Sequence, residues 1–273
     1  MKVLGLSFSP RKLGNCEIAI KEIFLNLSPN IEYDFINISK YNLKPCIACY
    51  KCLFENEKCP LDDDFYEIFN KILDSDALIM ACPSYFLGPN SSFKLFIDRF
   101  LISYNYHERL YNKETILISI AGIENGGEGY VDLSLLATAR LLNLNVKEHL
   151  VLYAALPGEV ILNSENKKKL KYAAEKLFVN KNVNKNEYQC NICGNQYFEF
   201  LDNNEIQCLV CKHKGSLQLV NNKIKVKMQK DNTIFYGDEE ANLRHKEWLK
   251  NMKERFITER KKIKEVTRKY LKI

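Results

Sequence analysis

The chain has no run of about 20 consecutive apolar residues, so no segment of its 273 residues reads as a membrane-spanning helix. Residues 1–10 carry one Lys and a short apolar run cut by Pro10 and Arg11, without the apolar core of a secretory signal, and a cytoplasmic protein is expected. Histidine is scarce, at four residues, and no Ser/His/Asp or paired-carboxylate arrangement stands out. No strand-like segment leads into G-x-G-x-x-G, and there is no P-loop. Cysteine, by contrast, is abundant. Eight of the ten cysteines fall into two tight clusters with metal-ligand spacing, which in a reducing compartment points to metals before disulfides; Cys16 and Cys82 stand apart.

Composition is that of a globular protein, with 46% hydrophobic and 27% charged residues. The formal net charge of +6 belongs to one segment. Residues 241–273 hold 12 Lys/Arg and 4 Glu, which leaves 28 basic against 30 acidic residues elsewhere.

Residues 1–178 alternate strand-like and helix-like segments. Strands are expected at 3–8, 31–38, 77–82, 115–121 and 146–154, and helices at 17–27, 63–73, 91–101, 131–142 and 164–178. Such alternation implies right-handed crossovers and a parallel sheet, and five strands suit an α/β, flavodoxin-like order 2-1-3-4-5. Residues 180–187 read as a polar linker. Residues 188–228 look like short hairpins, with turn signals at Asp202-Asn203-Asn204 and Asn221-Asn222. A basic helix is expected over 238–273, capped by Asp238, with an apolar stripe at Trp248, Met252, Phe256, Ile263, Val266 and Tyr270.

After the first strand comes Ser7-Phe8-Ser9-Pro10-Arg11-Lys12-Leu13-Gly14-Asn15-Cys16. Hydroxyls, free backbone N–H groups and a helix N-terminus make an anion site, to which Arg11 adds charge. Cys82-Pro83-Ser84-Tyr85-Phe86-Leu87-Gly88 follows the third strand, and Ala121-Gly122-Ile123-Glu124-Asn125-Gly126-Gly127 the fourth. In a 2-1-3-4-5 sheet these loops meet in one crevice. A phosphate loop, an aromatic loop and a Gly-rich loop suit a planar ring with a phosphate tail.

Those three loops resemble the FMN-binding loops of the NADPH-dependent FMN reductase-like flavoproteins over residues 1–178. The resemblance implies that Ser7, Ser9, Pro10, Arg11, Asn15 and Cys16 surround the FMN phosphate. It likewise implies that Pro83, Ser84, Tyr85 and Phe86, with Asn125, Gly126 and Gly127, border the flavin ring. Cys16 stands where the family usually has Thr or Ser; beside a phosphate it is expected to stay a protonated thiol, not a nucleophile.

Cys46, Cys49, Cys52 and Cys59 are spaced C-x2-C-x2-C-x6-C, close to the runs that ligate cubane clusters. Three cysteines at three-residue steps can each reach a different iron, and the fourth completes the cube. A single zinc and a set of redox thiols are the alternatives. The loop, residues 46–59, follows the second strand and so opens on the same sheet edge as the flavin loops. An insertion there resembles the iron–sulfur flavoproteins of anaerobic archaea and bacteria, which implies FMN and one 4Fe–4S cluster in a homo-oligomer. The function expected is an oxidoreductase that couples a two-electron flavin to one-electron carriers such as ferredoxin. One alternative is an NAD(P)H-dependent flavin or quinone reductase with a structural cysteine loop.

Cys190 and Cys193 pair with Cys208 and Cys211 as two C-x-x-C knuckles, which suits tetrahedral M–S4 coordination. The second knuckle lacks the Pro and Gly usual in rubredoxins, so zinc is favoured over a single iron. Zinc would supply folding energy that so small a core lacks. The basic helix is expected to pack its stripe on the body or on another subunit. A redox-sensing regulator that binds nucleic acid through ribbon and tail is the less favoured class.

Overall fold

A computed structural model of the chain describes residues 1–54, 58–179, 187–202, 204–231 and 239–272. The expected Asp238 cap, Asn203 of the first hairpin turn and most of the expected linker lie outside the described residues.

Each predicted strand and helix of the first 178 residues is present, with ends moved by a few residues. The elements run β1 (Lys2–Ser7), α1 (Asn15–Leu25), β2 (Glu32–Asn37), α2 (Phe65–Leu73), β3 (Ala77–Tyr85), β4 (Gly88–Pro89), α3 (Ser91–Ile97), α4 (His107–Leu110), β5 (Glu114–Ala121), α5 (Val131–Leu141), β6 (Asn145–Tyr153) and α6 (Ser164–Lys176). The main sheet has the order β2-β1-β3-β5-β6, all parallel, with β4 pairing antiparallel to the end of β3. This is the expected 2-1-3-4-5 order. The predicted helix 91–101 stops at Ile97 and continues as a tighter 3-10 turn over Phe100–Asn105, because Arg99 turns inward.

Strand side chains alternate between two cores, as the period of two requires. Val3, Ile79, Ile116 and Ile118 join Ile20, Ile23, Leu170 and Ala173 on the α1/α6 face. Leu4, Leu6, Leu78, Met80 and Leu117 join Phe65, Phe69, Phe93, Phe96 and Leu135 on the α2/α3/α5 face. Gly5 sets the spacing on the first face. A Cβ there would stand 2.4 Å from Ile20 Cγ2 and 2.8 Å from Phe24 Cζ, so only glycine lets α1 lie this close to β1.

The second region is a four-stranded antiparallel sheet, order β10-β9-β8-β7, built from β7 (Phe198–Asp202), β8 (Glu205–Cys208), β9 (Lys214–Val220) and β10 (Lys223–Met228). It is not sealed off from the first. Cys190, Cys193, Ile206, Val210, Cys211 and Met228 belong to the same hydrophobic cluster as the α5 face. Tyr197 Oη also donates to Asp132 Oδ2 on α5.

The last helix, α7 (Glu239–Thr267), meets the body along a different line from the predicted one. Its buried residues are Ala241, in phase with the expected stripe, and Asn242 and Leu249, one position off it; Met252 and Ile263 are half-buried, while Trp248, Phe256, Val266 and Tyr270 are exposed. Polar contacts rotate it. Asn242 Nδ2 donates to Leu141 O at 3.0 Å, His245 Nδ1 shares a 2.7 Å hydrogen bond with Tyr104 Oη, and the Lys253 ammonium sits 4.4 Å from the Phe54 ring centre. Among the described residues no helix is long and apolar enough to cross a membrane.

Candidate functional site

Parallel strands put their C-terminal ends on one edge, and here four segments enclose a pocket of about 250 Å³. Its walls include Ser9, Arg11, Asn15 and Cys16 from the first loop and Pro83, Ser84 and Tyr85 from the third strand's end. Ile120, Gly122, Ala154 and Ala155 complete it. The last two follow β6 and were not anticipated; two small residues before Pro157-Gly158 were the available signal. Arg11 Nη1 donates to Ala155 O at 3.3 Å, which pins that loop to the phosphate loop.

The helix end at this pocket has no side-chain cap. Gly14 caps α1 and offers no side-chain acceptor, so the first-turn amides of Asn15 and Cys16 have no intrahelical partner. Ser9 Oγ accepts from Arg11 N at 3.3 Å and holds the loop around them. Burial, then the neighbouring Cys82, pushes the Cys16 thiol well above its ordinary range, so it stays protonated. Burial pushes Cys82 up to about 12, and it packs as a core residue.

Several expected loop residues hold the loops together, and Asn15 and Ser84 do so while also lining the pocket. Ser7 is fully buried, and its Oγ accepts from Ser9 N at 3.3 Å. The Asn15 amide ties α1 to the chain after β6, donating to Ala154 O at 3.0 Å and accepting from Val160 N at 3.2 Å. Pro10, Asn125 and Gly126 are exposed and do not line the pocket. Gly127 O accepts from Ser84 Oγ at 2.7 Å, fastening the Gly-rich loop to the aromatic one. Phe86 and Leu87, at φ 55° and 61°, form the two-residue turn between β3 and β4. Turns of this kind favour Asn-Gly, so holding an aromatic residue there costs about 1 kcal/mol or more. The result is a Phe86 ring fully exposed beside the pocket mouth.

The chain after β2 reaches the same edge. Ser7 registers with Asn37, and beyond them Ser39 Oγ donates to Phe8 O at 3.0 Å and meets Ser92 Oγ at 2.9 Å. From there it enters the cysteine loop, where Ala48 and Tyr50 take φ values of 50° and 58°. Cys46 and Cys49 are exposed; Cys52 and Cys59 are half-buried. Burial, then the nearby Cys59, Cys46 and Cys49, pushes the Cys52 thiol up to about 11. Among the described residues, the four whose ligand atoms all lie within 4.8 Å of one another are the C-terminal ones.

Cys59 is held by groups the sequence reading missed. Its N–H donates to Tyr66 Oη at 2.8 Å, and Arg99 Nη2 donates to its Sγ at 3.2 Å. Arg99 also binds Asp63 at 2.5 Å and Lys44 O at 3.2 Å, and its guanidinium lies 4.7 Å from the Phe65 ring centre. One arginine thus joins both ends of the loop. Arg99 is the one arginine in the largely apolar stretch Phe93–Ile102, which also carries Lys94 and Asp98, and that stretch was the visible hint.

The C-terminal cysteines form a different kind of site. All four are buried, with Cys190 and Cys211 sulfurs 3.6 Å apart and Cys193 and Cys208 sulfurs 3.5 Å apart. Each knuckle closes on a left-handed residue, Gly194 at φ 79° and Lys212 at φ 58°, with Gly194 N and Lys212 N donating to Cys190 O and Cys208 O. Lys212 therefore takes the conformation where rubredoxin knuckles usually carry glycine. Asn195 Nδ2 donates to Cys208 Sγ at 3.2 Å. Hydrogen bonds from Cys190, Cys193 and Cys211 pull Cys208 toward the thiolate, while Cys211 is pushed toward the thiol. Sulfurs this close ionise together only around a cation. The nearby Arg140 guanidinium is largely buried, and its Nη2 is 3.7 Å from where a Gly194 Cβ would stand.

The sequence profile described as NADPH-dependent FMN reductase matches residues 1–154, more than half of the chain. The chain belongs to the NADPH-dependent FMN reductase family. Its relatives within that family are iron–sulfur flavoproteins. One from Methanocaldococcus jannaschii is 35% identical over 132 residues, covering 47% of this chain and 66% of the relative, just under two thirds of its length. One from Methanosarcina thermophila is 34% identical over 129 residues, covering 47% and 67%. One from Archaeoglobus fulgidus is 31% identical over 184 residues, covering 65% and 79%. A solved flavone reductase superposes with a TM-score of 0.75 at 16% identity, covering 100% of this chain and 98% of its own. At that identity the likeness is one of fold, and it extends through the small sheet and the last helix. This member of the NADPH-dependent FMN reductase family is therefore a flavoprotein oxidoreductase by family, with two further cysteine sites to account for.

Proposed function

We propose that the chain is an electron-transfer flavoprotein holding FMN in the β1/β3/β5 crevice and one 4Fe–4S cluster on Cys46, Cys49, Cys52 and Cys59. One observation carries the reading. The uncapped α1 end and the cysteine loop lie on the same sheet edge, joined through the Ser39–Phe8 hydrogen bond. FMN exchanges electrons in pairs or singly and a cubane cluster singly, so the two side by side link two-electron to one-electron partners.

The chain's own residues bind and orient. Ser9, Arg11 and the amides of Asn15 and Cys16 take the phosphate, and the protonated Cys16 adds no negative charge against it. Pro83, Ser84 and Tyr85 line the pocket on the ring's side, and Phe86, Asn125, Gly126 and Gly127, outside its walls, would border the ring's outer edge. Cys46, Cys49, Ile47 and Tyr50 are exposed, which leaves the cysteine loop open to a protein partner such as ferredoxin. NAD(P)H is the other class of donor, and a homo-oligomer is the assembly the family resemblance favours. The buried Cys190, Cys193, Cys208 and Cys211 would hold zinc in a structural role.

Anaerobic purification followed by flavin, iron, sulfide and zinc analysis tests the reading. About one FMN, four irons, four sulfides and one zinc per chain are expected. Zinc without sulfide at both cysteine sites would sink the cluster. Reduction of the loaded protein by reduced ferredoxin, compared with NADPH, then separates the two donor classes.

A further inference from the structure

Arg99 is 3% exposed, yet it points a guanidinium N–H at a sulfur. Burying a cation is tolerated only where it is paired and hydrogen-bonded. Asp63 supplies the pair, with no exposed side-chain area of its own. Asp63 is in turn saturated: it also accepts from Lys44 N at 2.8 Å and Phe65 N at 3.2 Å. Two Asp63 oxygens and Lys44 O therefore fix the plane of the guanidinium, and Nη2 has one direction left, toward Cys59 Sγ. Phe65 covers its face. A structural clamp needs only Asp63 and the Lys44 carbonyl. The donor aimed at sulfur is surplus to that task.

We propose that Arg99 is a positioning residue for the cluster: its hydrogen bond to Cys59 Sγ stabilises the reduced, more negatively charged state and raises the cluster's reduction potential. This rests on the cysteine loop holding a 4Fe–4S cluster. Reduction places one electron on the cluster, supplied in the titration by dithionite, with no bond made or broken at Cys59 and no proton taken up. Each added negative charge strengthens a charge-assisted hydrogen bond to the ligand sulfur, so the donor favours the reduced side.

The test is a redox titration of the intact, anaerobically purified protein, followed by the cluster's spectroscopic signal, in wild type and in Arg99→Gln, Arg99→Lys and Asp63→Asn. Iron and sulfide are measured first, which separates the two claims. A wild type without sulfide overturns the cluster reading. A loaded Arg99→Gln protein is expected to hold about tenfold less reduced cluster at fixed poise, a downward shift of about 59 mV for a one-electron couple. Arg99→Lys keeps the charge and one donor and should shift less. Asp63→Asn keeps the donor on Cys59 and should shift least, and the FMN potential should stay unchanged in all three. Equal potentials in loaded wild type and Arg99→Gln would overturn the proposal. So would a shift in Asp63→Asn as large as that in Arg99→Gln, or failure of both Arg99 variants to load, since either makes Arg99 a clamp only.

Discussion

The two four-cysteine regions share a ligand type and differ in almost everything else. The C-terminal four are buried, within 4.8 Å of one another, on knuckles closed by their own backbone hydrogen bonds. Those at 46–59 lie on an irregular loop, two of them exposed, and are held from outside by Arg99 and Tyr66. Close-packed buried thiols form part of a hydrophobic core, so a metal bound there would contribute to closing it. An exposed loop stapled to a complete α/β domain would lose a bound metal and leave the fold intact. The burial thus suits the first site to folding and the second to access.

The largest effect that would sharpen this contrast is expected from Cys208→Ser. Structural zinc contributes on the order of 10 kcal/mol to small sites, so the small sheet should unfold while the parallel sheet keeps its flavin. Limited proteolysis with metal and flavin analysis would show it; a protease-resistant, metal-free module would break the comparison. Next is Asp63→Ala, which strands a buried guanidinium and should cost about 3–5 kcal/mol in chemical denaturation. The same pair sets a pH dependence. Burial opposes ionisation of Asp63, but Arg99 and the Lys44 and Phe65 amides outweigh it and hold the carboxyl below its usual range. Its folded pKa is lowered, so its contribution is present above about pH 4 and is lost as pH falls through the folded value. Wild type should therefore lose more stability below about pH 4 than Asp63→Asn does.

Arg140→Gln is expected to weaken metal binding at the C-terminal site about 10–100-fold, as loss of an outer partner commonly does, measured by chelator competition. Unchanged affinity would show that Arg140 serves packing alone. The smallest effect on stability belongs to Cys49→Ser. The exposed loop should lose its iron and sulfide, with the unfolding midpoint of the metal-free proteins differing by about 0.5 kcal/mol or less. A large loss of stability there would erase the distinction between the two regions.

The sheet order was readable because each strand carries a run of β-branched or bulky residues and each crossover a helical period. The loop ahead of α1 was readable from its residue types before a helix. The role of Arg99 was not, because an arginine just past the end of α3 gives no sign of which distant acceptor it meets, and Asp63 lies 36 positions away. How α7 meets the body was not readable for a related reason: Asn242 and His245 bind Leu141 and Tyr104, which the apolar period does not encode, and most of the stripe stays exposed on this chain.

Local spacing by itself determined the two cysteine clusters, the strand–helix alternation and the turn that leads from β1 into α1, since each is written within a few consecutive residues. Only the tertiary structure decided which cysteines are buried together and which stand open, and which cation faces which sulfur. It also decided that the small sheet shares its core with the large one. Those are contacts between residues far apart in the chain, and their energies come from burial and charge pairing that no local pattern encodes.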